Sequence, residues 1–168
     1  LHEQLRFQAT HDQLTGLPNR AALDGHLAKA LDTDGGCRPA VAVGLIDLDR
    51  FKEINDLLGH DAGDSLLAEA ARRIGQCVHA GDTVARLGGD EFFVLLTRET
   101  PIDANHARWI AEDICDRLSE PVRVSSFNLQ ISASVGIARF PEDTKQGPEL
   151  LSLADMALYE AKESGRDR

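Results

Sequence analysis

Three acidic residues stand where carboxylates do chemistry. Asp47 falls at the carboxyl end of an apolar run, Val41 to Leu48, that reads as a buried strand. Asp90 and Glu91 follow the glycine pair Gly88-Gly89, between the strand-like runs Thr83 to Leu87 and Phe92 to Leu96. A hairpin laid beside the end of the first strand brings the three carboxylates together. Grouped carboxylates are hard oxygen ligands suited to magnesium. A pair of such ions bridges phosphate oxygens and activates a hydroxyl for in-line attack. Each acid taken singly is better explained as a solvated turn residue. Gly88-Gly89 shifts the balance, because a turn without side chains lets backbone approach a phosphate.

Other residues extend that chemistry. Asp47-Leu48-Asp49-Arg50-Phe51-Lys52 runs from a strand end into a helix, where backbone N–H groups at Arg50 and Phe51 offer an anion site and Lys52 adds charge. Lys162 and Arg166, four apart near the end of the last helix, are placed to hold distal phosphates or to offset the helix dipole. Asn55 and Asp64 lie across the turn at Gly59. A carboxylate beside a base-sized slot accepts from guanine N1–H and N2–H, which adenine lacks; the plainer reading of Asp64 is a first-turn helix acid.

The elements that must carry these residues follow from periodicity. Apolar residues at helical spacing predict helices over 22–31, 50–58, 66–78, 107–118 and 150–161. Thr33 to Pro39 reads as a surface turn, and His11 to Asn19 as a loop punctuated by Gly16 and Pro18. Phe127, Leu129, Ile131, Ala133, Val135 and Ile137 alternate strictly, which predicts one long half-buried strand with Val122 to Val124 paired to it. Hairpins mixed with helices give an α+β sandwich, helices on a mainly antiparallel sheet.

Composition bounds the function. The chain has 168 residues, the size of one domain, with 42% apolar and 27% charged residues. Its formal charge of −10 disfavours a protein that wraps a nucleic acid backbone. It leaves room for a single nucleotide whose phosphates metal ions neutralise. The longest strongly apolar run, Ala40 to Ile46, is far short of the roughly 20 residues of a spanning helix, so no membrane contact is expected of it. Three scattered cysteines, Cys37, Cys77 and Cys115, predict reduced thiols and a cytoplasmic location. Leu1 at the start and a lone Met156 predict a piece of a longer protein.

Several segments together resemble a known family. Arg86-Leu87-Gly88-Gly89-Asp90-Glu91-Phe92 resembles the signature of GGDEF-domain diguanylate cyclases. Asp12 to Arg20 (DQLTGLPNR) is similar to the family's opening, Asp47 to Asp56 (DLDRFKEIND) to its metal and phosphate segment, and Gly59 to Asp64 (GHDAGD) follows in place. Ala154-Asp155 through Tyr159, Ala161-Lys162 and Gly165-Arg166 are similar to its closing helix. The resemblance implies a nucleotide-cyclase fold akin to the polymerase palm, with residues 1–10 ending a helical linker and 11–168 forming the domain. It implies that two GTP molecules condense to cyclic di-GMP and two pyrophosphates with magnesium or manganese, in a homodimer holding one GTP per domain. Asp47 and Asp90 are then metal ligands, assisted by the Leu48 carbonyl and Glu91. Asn55 and Asp64 read guanine, while Lys52, Lys162, Arg166 and the backbone at Arg50-Phe51 hold the β- and γ-phosphates.

Two departures stand out. The family's product-inhibition site is an Arg-x-x-Asp ahead of the signature, whereas here His79 replaces the arginine and leaves Asp82 without its usual partner. Asp167 stands where asparagine often follows Gly-Arg. The resemblance also admits a silent GTP-binding domain that regulates a neighbouring EAL phosphodiesterase, behind an upstream sensor. The complete signature with Asp47 favours the active cyclase. The missing arginine weighs against a pure cyclic di-GMP receptor.

Overall fold

The computed structural model of the chain describes residues 1–32 and 39–165. At its centre lies a four-stranded sheet ordered β2-β3-β1-β6, antiparallel at every pairing. Its strands are β1 (Ala40–Leu48), β2 (Thr83–Gly88), β3 (Glu91–Arg98) and β6 (Ala133–Phe140). β1 is central and buried along its full length, as its unbroken apolar run predicts.

Alternation along the strands divides the core into two layers. Ile46, Leu48, Phe92 and Val94 face α4 (His60–Gln76) and α5 (Ala104–Ser119). Val43, Leu45, Phe93 and Leu95 pack with α2 (Arg20–Ala30) and α6 (Leu150–Glu163). α6 lies tight on β6 because Gly136 has no side chain: a Cβ there would overlap the backbone of Ala154 and Leu158. That close approach sets the position of Lys162 near the end of α6.

α4 is bolted to the end of α5 by a buried arginine. Arg73 donates to the carbonyls of Arg117 (3.0 Å), Glu120 (2.6 Å) and Pro121 (3.0 Å), and to Glu69 (2.9 Å). These are carbonyls a helix end leaves unpaired. The helix α1 (His2–Thr10) precedes the domain core and buries none of its residues.

One expected element is divided. The segment from Phe127 to Ile137 is two strands rather than one long strand. β5 (Phe127–Leu129) pairs with β4 (Val122–Val124) in a separate ribbon, and β6 alone joins the main sheet. The alternation is in phase on both sides of the break, so periodicity passes over it. Between them, the Ser132 backbone and hydroxyl turn to Asp49. The predicted turn at 33–39 lies, up to residue 38, outside the described residues, as does Cys37. Cys77 and Cys115 are unbridged thiols.

Candidate active site

The site is assembled at the carboxyl end of β1. The β2–β3 turn is built on Gly88 and Gly89, with φ of 139° and 52°, a region that favours glycine. It is pinned to β1 by a hydrogen bond from the Leu48 N–H to the Asp90 carbonyl (3.3 Å). Asp47 is buried and opposite Glu91 across the β1–β3 ladder. Burial, then the neighbouring Asp47 carboxylate, push the Asp90 carboxyl up to about 7.

A cation already lies there. The Lys162 ammonium, from α6, pairs directly with Asp47 Oδ2. A carboxylate pair that draws in an ammonium is chemically suited to a hard divalent ion. The Asp47 and Asp90 carboxylates fit the metal that the sequence implies. Glu91 is exposed and lines a cavity of about 300 Å³ between α2 and α6, with Arg20, Ser152 and Asp155. Among the described residues, no group of three or more His, Cys, Asp or Glu side chains is arranged to hold a metal. The carboxylate core is therefore the pair Asp47–Asp90.

Beyond β1, Arg50 takes a left-handed conformation (φ 57°) and α3 (Phe51–Leu58) begins with no side chain capping it. The first helical N–H that bonds back is that of Glu53, to the Arg50 carbonyl (3.1 Å). An uncapped helix start presents N–H groups to an anion. Lys52 is exposed in its first turn. Asn55, further along α3, lies against Gly63 of α4, where a Cβ would displace its carboxamide. The Asn55 Oδ1 atom is buried without a hydrogen-bond partner. Asp64, next to Gly63 in sequence, is exposed. The structure thus brings Asn55 and Asp64 to one α3–α4 seam, and Asp47, Asp90 and Lys162 to one sheet end. Arg166 lies outside the described residues.

Three supporting contacts are absent from the sequence reading. Arg86 donates to the Gly89 carbonyl through Nε (3.1 Å) and Nη2 (2.8 Å), and to Asp12 (2.9 Å). Asp12 also accepts from the Thr15 N–H and hydroxyl, and its carboxyl is held below the usual range by these bonds and Arg86, against the opposing effect of burial. The opening loop is thereby fastened to the signature turn. Asp49 forms a second clamp, accepting the hydroxyls of Ser132 (2.6 Å) and Ser134 (2.8 Å).

The third contact gives Asp82 a partner other than the arginine missing at position 79: Arg98 grips both its oxygens, at 2.6 and 3.0 Å. Asp82 also accepts from the backbone N–H groups of His79 (2.8 Å) and Thr97 (3.3 Å). Its side chain is 1% exposed.

Comparison with known proteins identifies the fold and its family. The family profile described as "Diguanylate cyclase, GGDEF domain" matches residues 9–168. The bifunctional diguanylate cyclase/cyclic di-GMP phosphodiesterase MucR of Pseudomonas aeruginosa is 46% identical over 159 residues, 95% of this chain and 23% of that protein. This chain therefore spans about a quarter of that relative's length. The solved GGDEF domain of TpbB (YfiN), also from Pseudomonas aeruginosa, is 46% identical and covers 94% of this chain, which covers 91% of it, with a TM-score of 0.85. The coiled coil and GGDEF domain of DgcB from Caulobacter crescentus, solved with cyclic di-GMP, is 32% identical with a TM-score of 0.87; the match covers 99% of this chain and 87% of that one. The profile match along nearly the whole chain, and solved relatives of the same fold, lead to one conclusion: the chain belongs to the GGDEF-domain family.

Proposed function

We propose that this chain is a catalytically active diguanylate cyclase domain. The carrying observation is the Asp47–Asp90 carboxylate pair with the Lys162 ammonium on it, beside the glycine turn. One GTP occupies each domain. Its guanine lies at the α3–α4 seam, where Asn55 and the exposed Asp64 read the base edge. Its β- and γ-phosphates rest on the N–H groups at the start of α3, with Lys52, Lys162 and Arg166 as counter-charges.

A divalent ion, magnesium or manganese, held by Asp47, Asp90 and the Leu48 carbonyl, would supply charge neutralisation at the reacting phosphate. Glu91, at the mouth of the site, assists. Two domains face each other, and the 3′-hydroxyl of one GTP attacks the α-phosphate of the other. An O–P bond forms, pyrophosphate leaves with the electron pair of the broken bond, and the hydroxyl proton is lost. Repetition on the second ester closes cyclic di-GMP. Catalysis is positioning and charge neutralisation throughout.

The test is to incubate the chain with GTP and magnesium and to separate the products by chromatography. Cyclic di-GMP with pyrophosphate is expected. GTP binding without product would move the reading to a silent domain that regulates a neighbouring phosphodiesterase.

A further inference from the structure

Asp49 lies one residue past the end of β1, and only 7% of it is exposed. Its carboxylate accepts the Ser132 hydroxyl on Oδ2 (2.6 Å) and the Ser134 hydroxyl on Oδ1 (2.8 Å). Its N–H donates to the Ser132 carbonyl (2.9 Å). A buried carboxylate is costly unless it is well bonded, and these are short charge-assisted distances. The next residue, Arg50, is one of two non-glycine residues with positive φ among those described. Such a conformation costs roughly 1–3 kcal/mol and persists only where its surroundings hold it. Arg50 has no side-chain capping role, and α3 starts immediately after it. Asp49 and Arg50 also line one side of a cavity of about 480 Å³ that Gly165, at the end of α6, lines from the other.

We infer that Asp49 is a positioning residue for triphosphate binding: its clamp on Ser132 and Ser134 fixes the left-handed turn at Arg50, which aims the first N–H groups of α3 at the distal phosphates. A carboxylate cannot itself attract a phosphate. Its bonds to β6 and its burial instead anchor one side of the turn, so that the helix start is set before the nucleotide arrives. Without the clamp, Arg50 relaxes towards ordinary backbone and the donors lose their common direction. This inference rests on the proposed nucleotide site.

The test compares 3′-deoxy-GTP with 3′-deoxy-GMP, neither of which can react, by calorimetry in magnesium. The monophosphate lacks the groups that the turn addresses. Asp49→Ala is expected to weaken triphosphate binding about tenfold, the range for lost bonds to a charged group, and to leave monophosphate binding nearly unchanged. Ser132→Ala with Ser134→Ala should shift the ratio the same way. Asp49→Asn, which keeps an acceptor, should recover part of it. If Asp49→Ala does not fold, Asp49→Asn and the serine pair carry the same comparison. Equal losses for both nucleotides, or an unchanged ratio, would overturn the positioning role. A wild-type chain that binds neither nucleotide would overturn the nucleotide site itself, and this inference with it.

Discussion

Lys162 and Asp47 are 115 residues apart in sequence, yet the ammonium of one pairs with the carboxylate of the other at the end of the central sheet. The pairing joins α6 to β1 across the proposed site for the nucleotide and its metal. In the nucleotide-free chain the ammonium therefore competes with any divalent ion for Asp47. Lys162→Met should bind manganese about fivefold more tightly without nucleotide, the size of a partly exposed ion pair. The same variant should bind a GTP analogue more weakly. Electron paramagnetic resonance of free manganese reads the first effect and calorimetry the second. A variant with weaker manganese binding would show that the ammonium organises the carboxylates instead of competing for them.

Asp90 gives a pH dependence of definite sign. Its carboxyl is pushed up to about 7 in the folded chain by burial and by Asp47, from an ordinary value of 3.8. The folded state then holds a proton that the unfolded state has released. Between pH 4 and 7 the group's contribution to stability falls as pH rises, with its full favourable effect only below the unfolded value. Without metal, Asp90→Asn should flatten this decline in thermal melts while leaving the fold intact. Added magnesium should flatten it in the wild type as well. The same variant should make no cyclic di-GMP. Melts of wild type and variant that run parallel from pH 4 to 7 would remove the coupling.

The approach of Asp47 to Asp90 was legible because its signals are local. A central strand ending in Asp47 and a glycine turn ahead of Asp90 are both readable from composition and period, and the sheet needs only an antiparallel β1–β3 pairing to join them. The clamps around the pair were not legible. Asp49 reaches Ser132 and Ser134 over 83 and 85 residues, and Arg86 reaches Asp12 over 74. No spacing rule connects such positions. The break between β5 and β6 escaped for a related reason: the residues at 130–132 keep the alternating phase, and only the bonds of Ser132 to Asp49 reveal the departure from the sheet.

Arg98 changes the expectation for the inhibition site. His79 in place of arginine already argues for weak product binding, but a lone Asp82 could still have recruited a ligand. Its side chain is instead enclosed by Arg98 and two backbone donors. These bonds, with Arg98 foremost, hold the Asp82 carboxyl below its usual range against the effect of burial. Titrating cyclic di-GMP into the nucleotide-free chain should give little heat assignable to this site. Asp82→Ala should lower stability by about 3 kcal/mol, because it leaves Arg98 facing an apolar gap. Tight binding abolished by Asp82→Ala in a chain that still folds would mean that Arg98 serves the ligand and not the fold.

Arg86 links the opening loop to the signature turn. Two of its N–H groups hold the Gly89 carbonyl, a third holds Asp12, and its own backbone N–H donates to the Pro18 carbonyl (3.0 Å). Gly89 immediately precedes Asp90, so the guanidinium sets the turn that carries the proposed metal ligand without touching the proposed nucleotide pocket on α3. Arg86→Ala should therefore lower turnover while leaving GTP affinity close to that of the wild type. Lysine cannot reproduce the planar fork, so Arg86→Lys should recover little. Asp12→Asn should act in the same direction but more weakly, since Arg86 keeps both bonds to Gly89. Because the two side chains form one unit, the double variant should lose less than the product of the single losses. Steady-state kinetics with separate kcat and KM, run with binding of 3′-deoxy-GTP, decides this. Losses confined to KM would place Arg86 in nucleotide binding, and independent losses would sever the loop from the turn.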